Sequence, residues 1–355
     1  MRHSAMFLGA LFVVAISLGL PALAFHDDGV AHCNGCHTMH NSPDNPADSA
    51  DGNSFLLKQS TSTDMCLTCH ATRLGNSWGA ALDAPGTLVG GGNFIFLTED
   101  NLNDGHAGSL EENWIPGHQA GHSIISDDRT LAPDPVNEFG PGGSYPAENL
   151  TCTSCHDPHG QGAHFRLLYG DDFPTSKSNG YFFDYTAAAP DAVESGFGQE
   201  TNANHTAFRA GMSEWCGACH GDYHNTDYPN TLKHPSGEVL GAIIAANYNK
   251  YEGSGDYTGL KGDAYLAMVP FEDPAAATDS TEGATGTTSK VMCLSCHRAH
   301  ASSGPNSGRW DFNLTIWDDE GVESGSYIIP NPYDATAGGH QRSLCNKCHA
   351  KDPVL

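Results

Sequence analysis

Residues 32–42 read HCNGCHTMHNS, in which Cys33, Cys36 and His37 form a Cys-x-x-Cys-His motif. All 12 cysteines of the chain fall into six copies of this motif, so that no cysteine is left over. The cysteines are Cys33, Cys36, Cys66, Cys69, Cys152, Cys155, Cys216, Cys219, Cys293, Cys296, Cys345 and Cys348. What these six motifs bind decides how the chain folds.

The Cys-x-x-Cys-His spacing is typical of covalent c-type haem attachment. The two cysteines bond to the vinyl groups of the macrocycle, and the adjacent histidine becomes the proximal ligand of the iron. A disulfide framework does not require a histidine after every second cysteine, and a tetrahedral zinc site would combine cysteine pairs without regard to those histidines. The sequence therefore predicts six covalently attached haem c groups with proximal ligands His37, His70, His156, His220, His297 and His349.

The composition favours a fold without one large hydrocarbon core. Only 39% of the 355 residues are hydrophobic, and 41 Gly and 20 Pro make the chain rich in loops. Such an irregular chain becomes compact only if something else fills its interior. We therefore predict a multihaem cytochrome c fold, mostly coil with a few short helices and little strand, wrapped around a chain of six covalently bound haems. Folding is expected to depend on cofactor attachment.

Residues 1–24 have the features of a cleaved signal peptide. Arg2 precedes an apolar run over residues 5–20, and small residues at 21–24 form a cleavage site. A retained anchor is the alternative, but the run is short for a membrane span. We expect an exported mature chain, residues 25–355, without a membrane span, either at the cell surface or in the periplasm. The formal net charge of the full 355-residue chain, −26, disfavours nucleic acid and anionic membranes as partners.

The second axial position of each iron decides the chemistry, because an open position permits catalysis and a closed one leaves electron transfer. Three stretches share one order: an upstream histidine, a Cys-x-x-Cys-His-x-x-His motif and a plain Cys-x-x-Cys-His motif. We interpret them as three diverged di-haem modules, at about 25–110, 111–225 and 226–355. Their predicted distal ligands supply every iron: His26, His40, His122, His159, His234 and His300.

Other residues could take a distal position. His224 competes for one place, and a methionine beside a motif would raise the potential of its haem. The candidate methionines are Met39, Met65 and Met292. The remaining histidines are expected on the surface or in supporting roles: His32, His106, His118, His164, His205 and His340.

A short tether restricts the histidine three positions after each proximal ligand. Only Thr38 and Met39 separate His40 from His37, and so short a link cannot reach the opposite face of the same macrocycle. His40, and likewise His159 and His300, is therefore expected to ligate a different haem. Each would hold two haems at the short range that fast electron transfer requires.

One helix and a set of cations complete the expectations. The apolar pattern predicts a helix over about 237–252, capped by Ser236, ended by Gly253 and facing a haem. Its common face would carry Val239, Leu240, Ile243, Ile244 and Tyr248. Cations near the motifs could pair with haem propionates or form exposed salt bridges: Arg166, Arg209, Arg298, Arg309, Arg342 and Lys347.

Stretches around the motifs resemble a known family, the extracellular hexahaem cytochromes that polymerise into filaments (OmcS-type cytochrome nanowires). The stretches are FHDDGVAHCNGCHTMHNS, CTSCHDPHG, GMSEWCGACH, HNTDYPNTLKHPSG, CLSCHRAHAS and QRSLCNKCHAKD. The resemblance covers all six motifs in order, while segments 71–150 and 160–205 are shorter than in the family. It implies a continuous stack of bis-histidine haems that carries electrons outside the cell. Outer-membrane or periplasmic cytochromes would be the donors, and metal oxides or other extracellular acceptors would receive the electrons.

The resemblance also implies how subunits join. In that family the second histidine of the first motif ligates the fifth haem of the next subunit, in a head-to-tail polymer. Carried over, His40 of one copy would bind the haem attached at Cys293 and Cys296 of its neighbour.

Two other functions are compatible with the motifs. The first is a monomeric periplasmic or secreted electron shuttle, and the second is a multihaem reductase of the nitrite or hydroxylamine type. A reductase needs an iron without a distal ligand, whereas histidines here suffice for all six irons. We therefore expect no catalytic residues, and a filament subunit is the favoured function.

Overall fold

The computed structural model describes residues 33–38, 40–41, 46–71, 77–78, 90–98, 102–103, 114–115, 117–160, 164–172, 185–195, 200–224, 235–249, 261–302, 304–309, 312 and 344–349. The predicted signal peptide, His26, His234 and Gly253 lie outside the described residues. All 12 cysteines and all six proximal histidines lie within them.

Regular structure is short and sparse in the described residues. The α-helices are α1 (Ser62–His70), α2 (Gly117–Ala120), α3 (Met212–Gly217), α4 (Gly221–His224) and α5 (Gly241–Tyr248). Strand β1 (Leu102–Asn103) pairs antiparallel with β2 (Trp114–Ile115), and β3 (Asp191–Val193) pairs antiparallel with β4 (Ala207–Ala210). Short 3-10 turns are Cys33–Gly35, Ser54–Leu56, Phe94–Leu97, Ala147–Asn149, Cys152–Ser154, Phe165–Leu167, Lys261–Asp263, Cys293–Ser295, Pro305–Ser307 and Leu344–Lys347.

The predicted fold class, mostly coil with few helices and little strand, is confirmed. None of the helices in the described ranges has both the length and the apolar character of a membrane span.

The largest apolar cluster lies between two segments far apart in sequence. The turn Phe94–Leu97 is buried throughout and packs with the buried segment 264–269. Phe94 also reaches a predicted haem ligand, because its ring stacks on His300 with centroids 4.5 Å apart. Protein side chains thus form a larger core than the composition suggested, and this core touches a predicted axial histidine.

Helix α5 is shorter than predicted, and its buried face differs. The backbone N–H groups of Gly237 and Leu240 donate to the carbonyls of Val291 and Ser289, at 2.8 and 2.9 Å. These long-range bonds take up the backbone N–H groups of residues 237 and 240, so the helix begins at Gly241 and Ser236 does not cap it.

The face predicted for this helix is only partly right. Tyr248 is buried, but Val239 is 47% exposed and Ile243 is 77% exposed. The Tyr248 hydroxyl donates to the carbonyl of Val269 at 2.8 Å and accepts from the N–H of Leu266 at 3.1 Å. Asn247 donates to the carbonyl of Cys348 at 3.2 Å. The helix therefore links the apolar cluster to the sixth motif.

A buried carboxylate fixes α1, the helix that contains the second motif. Asp64 is 2% exposed and accepts hydrogen bonds from Thr61 Oγ1 at 2.7 Å and from Ser126 Oγ. The backbone N–H groups of Asp127 and Asp128 also donate to it, at 3.1 and 3.4 Å. Thr61 in turn caps the helix by accepting from the Asp64 N–H at 3.0 Å. The loop that follows His122 is thereby tied to the second motif.

We expect Asp64→Asn to destabilise the fold by roughly 2–3 kcal/mol. The substitution replaces a carboxylate, which only accepts hydrogen bonds, by an amide whose NH2 group would face the O–H and N–H donors of this site. Guanidinium unfolding of the haem-loaded protein, followed by circular dichroism, measures the change. Asp128→Asn, on an exposed side chain of the same loop, should stay within about 0.5 kcal/mol. Equal effects of the two substitutions would contradict the assigned role.

Candidate haem-binding sites

In each motif the backbone makes one helical turn from the first cysteine to the histidine. The N–H of His37 donates to the carbonyl of Cys33 at 2.9 Å, and the N–H of His156 donates to that of Cys152 at 3.0 Å. The fourth, fifth and sixth motifs make the same bond at 3.0, 3.0 and 2.9 Å, and the second lies within α1. A single helical turn therefore brings the two thiols and the imidazole of each motif together.

Cysteines of consecutive motifs approach each other in two places. None of the 12 cysteines forms a disulfide. The side chains of Cys66 and Cys152 lie within contact distance of each other, and so do those of Cys216 and Cys293. The second motif thus contacts the third, and the fourth contacts the fifth. Within the described residues, no three His, Cys, Asp or Glu side chains converge as a metal site of protein ligands alone.

The two contacts between motifs are built in the same way. The backbone N–H of Cys152 donates to Thr63 Oγ1 at 3.4 Å, and that of Cys293 donates to Ser213 Oγ at 3.3 Å. Thr63 and Ser213 each lie three residues before the first cysteine of a plain motif. One local arrangement is therefore used twice to join consecutive haem motifs.

A second repeated arrangement orients the proximal imidazoles of the first, third and fifth motifs. In each case a backbone carbonyl of a tight turn accepts a hydrogen bond from the histidine Nδ1. The pairs are His37 with Phe55 at 2.9 Å, His156 with Arg166 at 2.8 Å and His297 with Asn306 at 2.9 Å. Because a carbonyl can only accept, Nδ1 carries the proton and Nε2 keeps the lone pair that a metal needs.

These three tight turns share an unusual backbone conformation. Each contains two successive non-glycine residues with positive φ: 58° and 58° at Phe55 and Leu56, 52° and 56° at Arg166 and Leu167, and 57° and 56° at Asn306 and Ser307. Left-handed residues cost about 1–2 kcal/mol each. Two hydrogen bonds hold this conformation. The first carbonyl of the turn accepts from the histidine Nδ1, and the second accepts from the backbone N–H of the residue after that histidine, at 2.7 Å in all three copies.

Two further histidines present Nε2 in the same way. His220 Nδ1 donates to the carbonyl of Pro141 at 2.6 Å, and His122 Nδ1 donates to the carbonyl of Ala299 at 2.6 Å. Hydrogen bonding of one ring nitrogen to a carbonyl is the usual support of a metal-bound histidine. The donor set of these sites therefore fits haem iron.

The structure brings proximal and predicted distal histidines together in three pairs. The ring centroids of His37 and His159 are 6.3 Å apart, and those of His156 and His300 are also 6.3 Å apart. For the His122–His220 pair the distance is 5.9 Å. An imidazole–metal bond is about 2 Å long and a ring nitrogen lies roughly 1 Å from its ring centre, so two imidazoles on one iron have centres about 6 Å apart. Each pair leaves room for one iron.

The electrostatics of these sites favours neutral imidazoles. Burial, together with the neighbouring His220, lowers the pKa of His122 to about 4. Burial and the neighbouring His156 lower the pKa of His300 to about 3. Only the neutral ring can ligate a metal, so the protein environment keeps both groups ready for ligation at neutral pH.

The other histidines and methionines have varied surroundings. His40 is exposed, and the side chain of His224 lies outside the described residues. His205 is buried and stacks on Tyr265, with both ring nitrogens near backbone carbonyls. Met65 and Met292 are buried in the protein, while Met39 lies outside the described residues.

Three of the predicted cations are not exposed. Arg298, Arg309 and Lys347 have relative exposures of 2%, 1% and 0%, so the alternative of exposed salt bridges is wrong for them. Arg166 does form an exposed pair, with Glu194 at 3.2 Å. Arg209 donates to the carbonyl of Ala276 at 3.4 Å, and Arg342 lies outside the described residues.

Similarity to known proteins shows which family the chain belongs to. The chain is 33% identical over 425 aligned positions to the C-type cytochrome OmcS of Geobacter sulfurreducens, an alignment that covers 95% of this chain and 97% of OmcS. The chain belongs to the OmcS family of c-type cytochromes. As a member with six attachment motifs, it carries six covalently attached haem c groups.

Two solved structures of OmcS have the same fold as this OmcS-type cytochrome. The outer membrane cytochrome S filament from G. sulfurreducens matches with a TM-score of 0.73 and 31% identity. A cryo-EM structure of OmcS nanowires from the same organism matches with a TM-score of 0.70 and 33% identity. Each match covers 92% of this chain and all of the OmcS chain. No protein-family model matches this sequence.

Sequence reasoning missed the carbonyls that support the imidazoles. The turn residues are Phe-Leu, Arg-Leu and Asn-Ser, so the three turns have no side-chain type in common at either position. The spacing from histidine to turn also varies, at 18, 10 and 9 residues. Only asparagine is a common left-handed residue. No local signal therefore marks these turns.

We expect Arg166→Pro to disturb the third haem site, because proline fixes φ near −65° and position 166 requires +52°. The His156 Nδ1 would lose its acceptor. The third haem would then be high-spin in a fraction of the molecules, which the visible and EPR spectra would show. Arg166→Gly removes the same side chain but tolerates positive φ, so it is the matched control and should keep all haems low-spin. Low-spin spectra for both variants would show that the turn does not orient the ligand.

Proposed function

We propose that this chain is the repeating subunit of an extracellular cytochrome filament that conducts electrons through six bis-histidine haems and catalyses no reaction itself. The observation that carries the proposal is the spacing of three imidazole pairs for one iron each. Haem iron supplies the one-electron couple, and a second protein ligand restricts it to electron transfer. The likeness to OmcS over nearly the whole chain supports the same function.

The three pairs suggest a simple rule of ligation. His159 of the second module faces His37 of the first, and His300 of the third module faces His156 of the second. The histidine three positions after a proximal ligand thus serves the first haem of the preceding module. His122, the upstream histidine of the second module, faces His220 and serves the second haem of its own module.

Applied to the remaining irons, the rule assigns every distal ligand. The upstream His26 would serve the second haem with His70, and the upstream His234 would serve the sixth haem with His349. The regular use of the same positions supports three di-haem modules at about 25–110, 111–225 and 226–355, and no place is left for His224.

The same rule requires a second copy of the chain. His40 belongs to the first module, which has no preceding module in its own chain, and its side chain is exposed. The fifth haem, with His297, is the first haem of the third module, and residues 1–355 contain no fourth module to supply its ligand. His40 of one copy would therefore ligate the fifth haem of a neighbouring copy. Such a head-to-tail contact does not close on itself and generates a fibre, as the titles of the OmcS structures describe for that protein.

Export through the signal peptide of residues 1–24 would place the filament outside the cell. Electrons would enter from outer-membrane or periplasmic cytochromes and leave to metal oxides or other extracellular acceptors. The strongly acidic chain suits positively charged mineral surfaces.

We expect His40→Ala to leave six haems per chain but to prevent filament formation, because the bond between subunits is lost. One haem should become high-spin, and negative-stain microscopy of the secreted protein should show only small particles. His118→Ala, which removes a histidine outside the ligand set, serves as control and should form normal filaments. Normal filaments from His40→Ala would refute the intersubunit ligation, and small particles from the wild type would favour a monomeric shuttle.

We also expect the reduced wild-type filament to bind no carbon monoxide, because two histidines occupy both axial positions of every iron. The Soret band of the dithionite-reduced protein, recorded with and without carbon monoxide, tests this. A spectral change equivalent to one haem would indicate an open iron and favour a reductase.

A further inference from the structure

Three aromatic side chains lie between the third and fourth haem motifs. They are Tyr169, Tyr185 and Trp215, and they come from three separate stretches of the chain. Tyr169 and Tyr185 are 2% and 5% exposed. Trp215 is partly buried and lies in α3 directly before Cys216, the first cysteine of the fourth motif. The contact between these two motifs thus differs from the two contacts that cysteine side chains make with each other.

Two hydrogen bonds in series run from the third motif to the fourth. The backbone N–H of Tyr169 donates to the carbonyl of Cys155 at 3.1 Å. The carbonyl of the same Tyr169 accepts from the indole Nε1–H of Trp215 at 2.7 Å. Since Trp215 precedes Cys216, a single residue connects the second cysteine of the third motif to the start of the fourth.

Tyr185 makes a second connection between the same motifs. Its ring is stacked on the Trp215 indole, with an interplanar angle of 8° and centroids 5.1 Å apart, and on Tyr169 with centroids 6.2 Å apart. Its hydroxyl donates to the carbonyl of Ser154, between the two cysteines of the third motif, at 2.9 Å. Burial raises the pKa of Tyr185, so the phenol keeps the proton that it donates. Tyr185 therefore holds the third motif with its hydroxyl and the fourth with its ring.

The strand pair β3–β4 explains how Tyr185 reaches this position. Tyr185 precedes β3 and Trp215 follows β4. Because the two strands are antiparallel, the chain enters β3 and leaves β4 at the same end of the pair. The backbone N–H of Asp171 also donates to the carbonyl of Ala187 at 3.0 Å, which ties the stretch that contains Tyr169 to the one that contains Tyr185.

The matched positions of the other modules cannot form the indole bond. The residue two positions after the left-handed turn is Lys58 in the first module and Arg309 in the third, and each donates its N–H to the second cysteine of its motif, at 2.9 and 2.7 Å. The residue before the plain motif is Met65 in the first module and Leu344 in the third. Neither methionine nor leucine has a side-chain N–H or O–H, so this bond belongs to the second module.

We propose that Trp215 and Tyr185 are positioning residues for electron transfer within the subunit: they fix the fourth motif against the third and thereby set the separation and mutual orientation of the third and fourth haems. Electron transfer slows steeply as the gap between donor and acceptor grows, and side chains locked by packing and hydrogen bonds hold such a geometry. The electron passes from the ferrous third haem to the ferric fourth haem, and neither aromatic side chain is oxidised. The inference rests on the proposed electron-transfer function, but not on the distal ligands.

Circular dichroism in the Soret region tests the haem geometry, because neighbouring haems couple and split the band according to their separation and orientation. Trp215→Leu introduces the residue type that the sixth motif has at this position, and Tyr185→Leu removes the stacked ring. In the secreted protein both variants should lose part of the split band while six low-spin haems per chain are retained. Filament conductance should fall as well, because the haems lie in series and the slowest step limits the current.

Phe96→Leu is the matched control, because it removes a buried aromatic ring (1% exposed) from the large apolar cluster. It should lower stability but leave the split band and the conductance unchanged. If the leucine variants are secreted without their haems, Trp215→Phe and Tyr185→Phe keep an aromatic ring and remove the two hydrogen bonds. These variants should change the split band in the same direction by a smaller amount.

An unchanged split band in both leucine variants would overturn the positioning role, as it would in both phenylalanine variants where only these keep six low-spin haems. An equal change in Phe96→Leu would also overturn it, since the loss of any buried ring would then have the same effect. Wild-type filaments that do not conduct would instead refute the proposed function, and the split band would still decide whether the two side chains fix the haem geometry.

Discussion

The fold depends on one constraint, the attachment of each haem to a single turn of chain that also carries the histidine proposed as an axial ligand. The turn returns the histidine N–H to the carbonyl of the first cysteine, so thiols and imidazole cannot separate. A backbone carbonyl then accepts a hydrogen bond from Nδ1 of His37, His156, His220 and His297, which leaves the Nε2 lone pair available. Because covalent and hydrogen bonds fix the position of each motif, the fold does not need long helices or strands. Those of the described residues are correspondingly short.

The sequence predicted those features that local chemistry determines. Each Cys-x-x-Cys-His motif by itself indicates covalent haem attachment, and low hydrophobicity with many glycines predicted the coil-rich fold. The prediction failed where distant segments interact. Residues 237–240 looked helical but pair with 289–291. For Arg298, Arg309 and Lys347 the sequence left two alternatives open, and their burial excludes exposed salt bridges. The left-handed turns were not predictable, because Phe55, Arg166 and Asn306 share a backbone conformation and not a side-chain type.

The three left-handed turns share one hydrogen-bond pattern with the residue that follows each histidine. Thr38, Asp157 and Arg298 occupy that position, so one backbone arrangement accommodates a neutral, an acidic and a basic side chain.

Polymerisation follows from the same repetition. In the proposed assignment a histidine serves the preceding module, as the positions of His159 and His300 opposite His37 and His156 suggest. That assignment leaves the first module with one ligand more than it uses and leaves the first haem of the third module without its ligand. In the proposed assignment the two ends complement each other, so the contact between subunits repeats the contact between modules. In that assignment one bond, from a histidine of one subunit to an iron of the next, sets the polarity of the filament and completes the set of axial ligands.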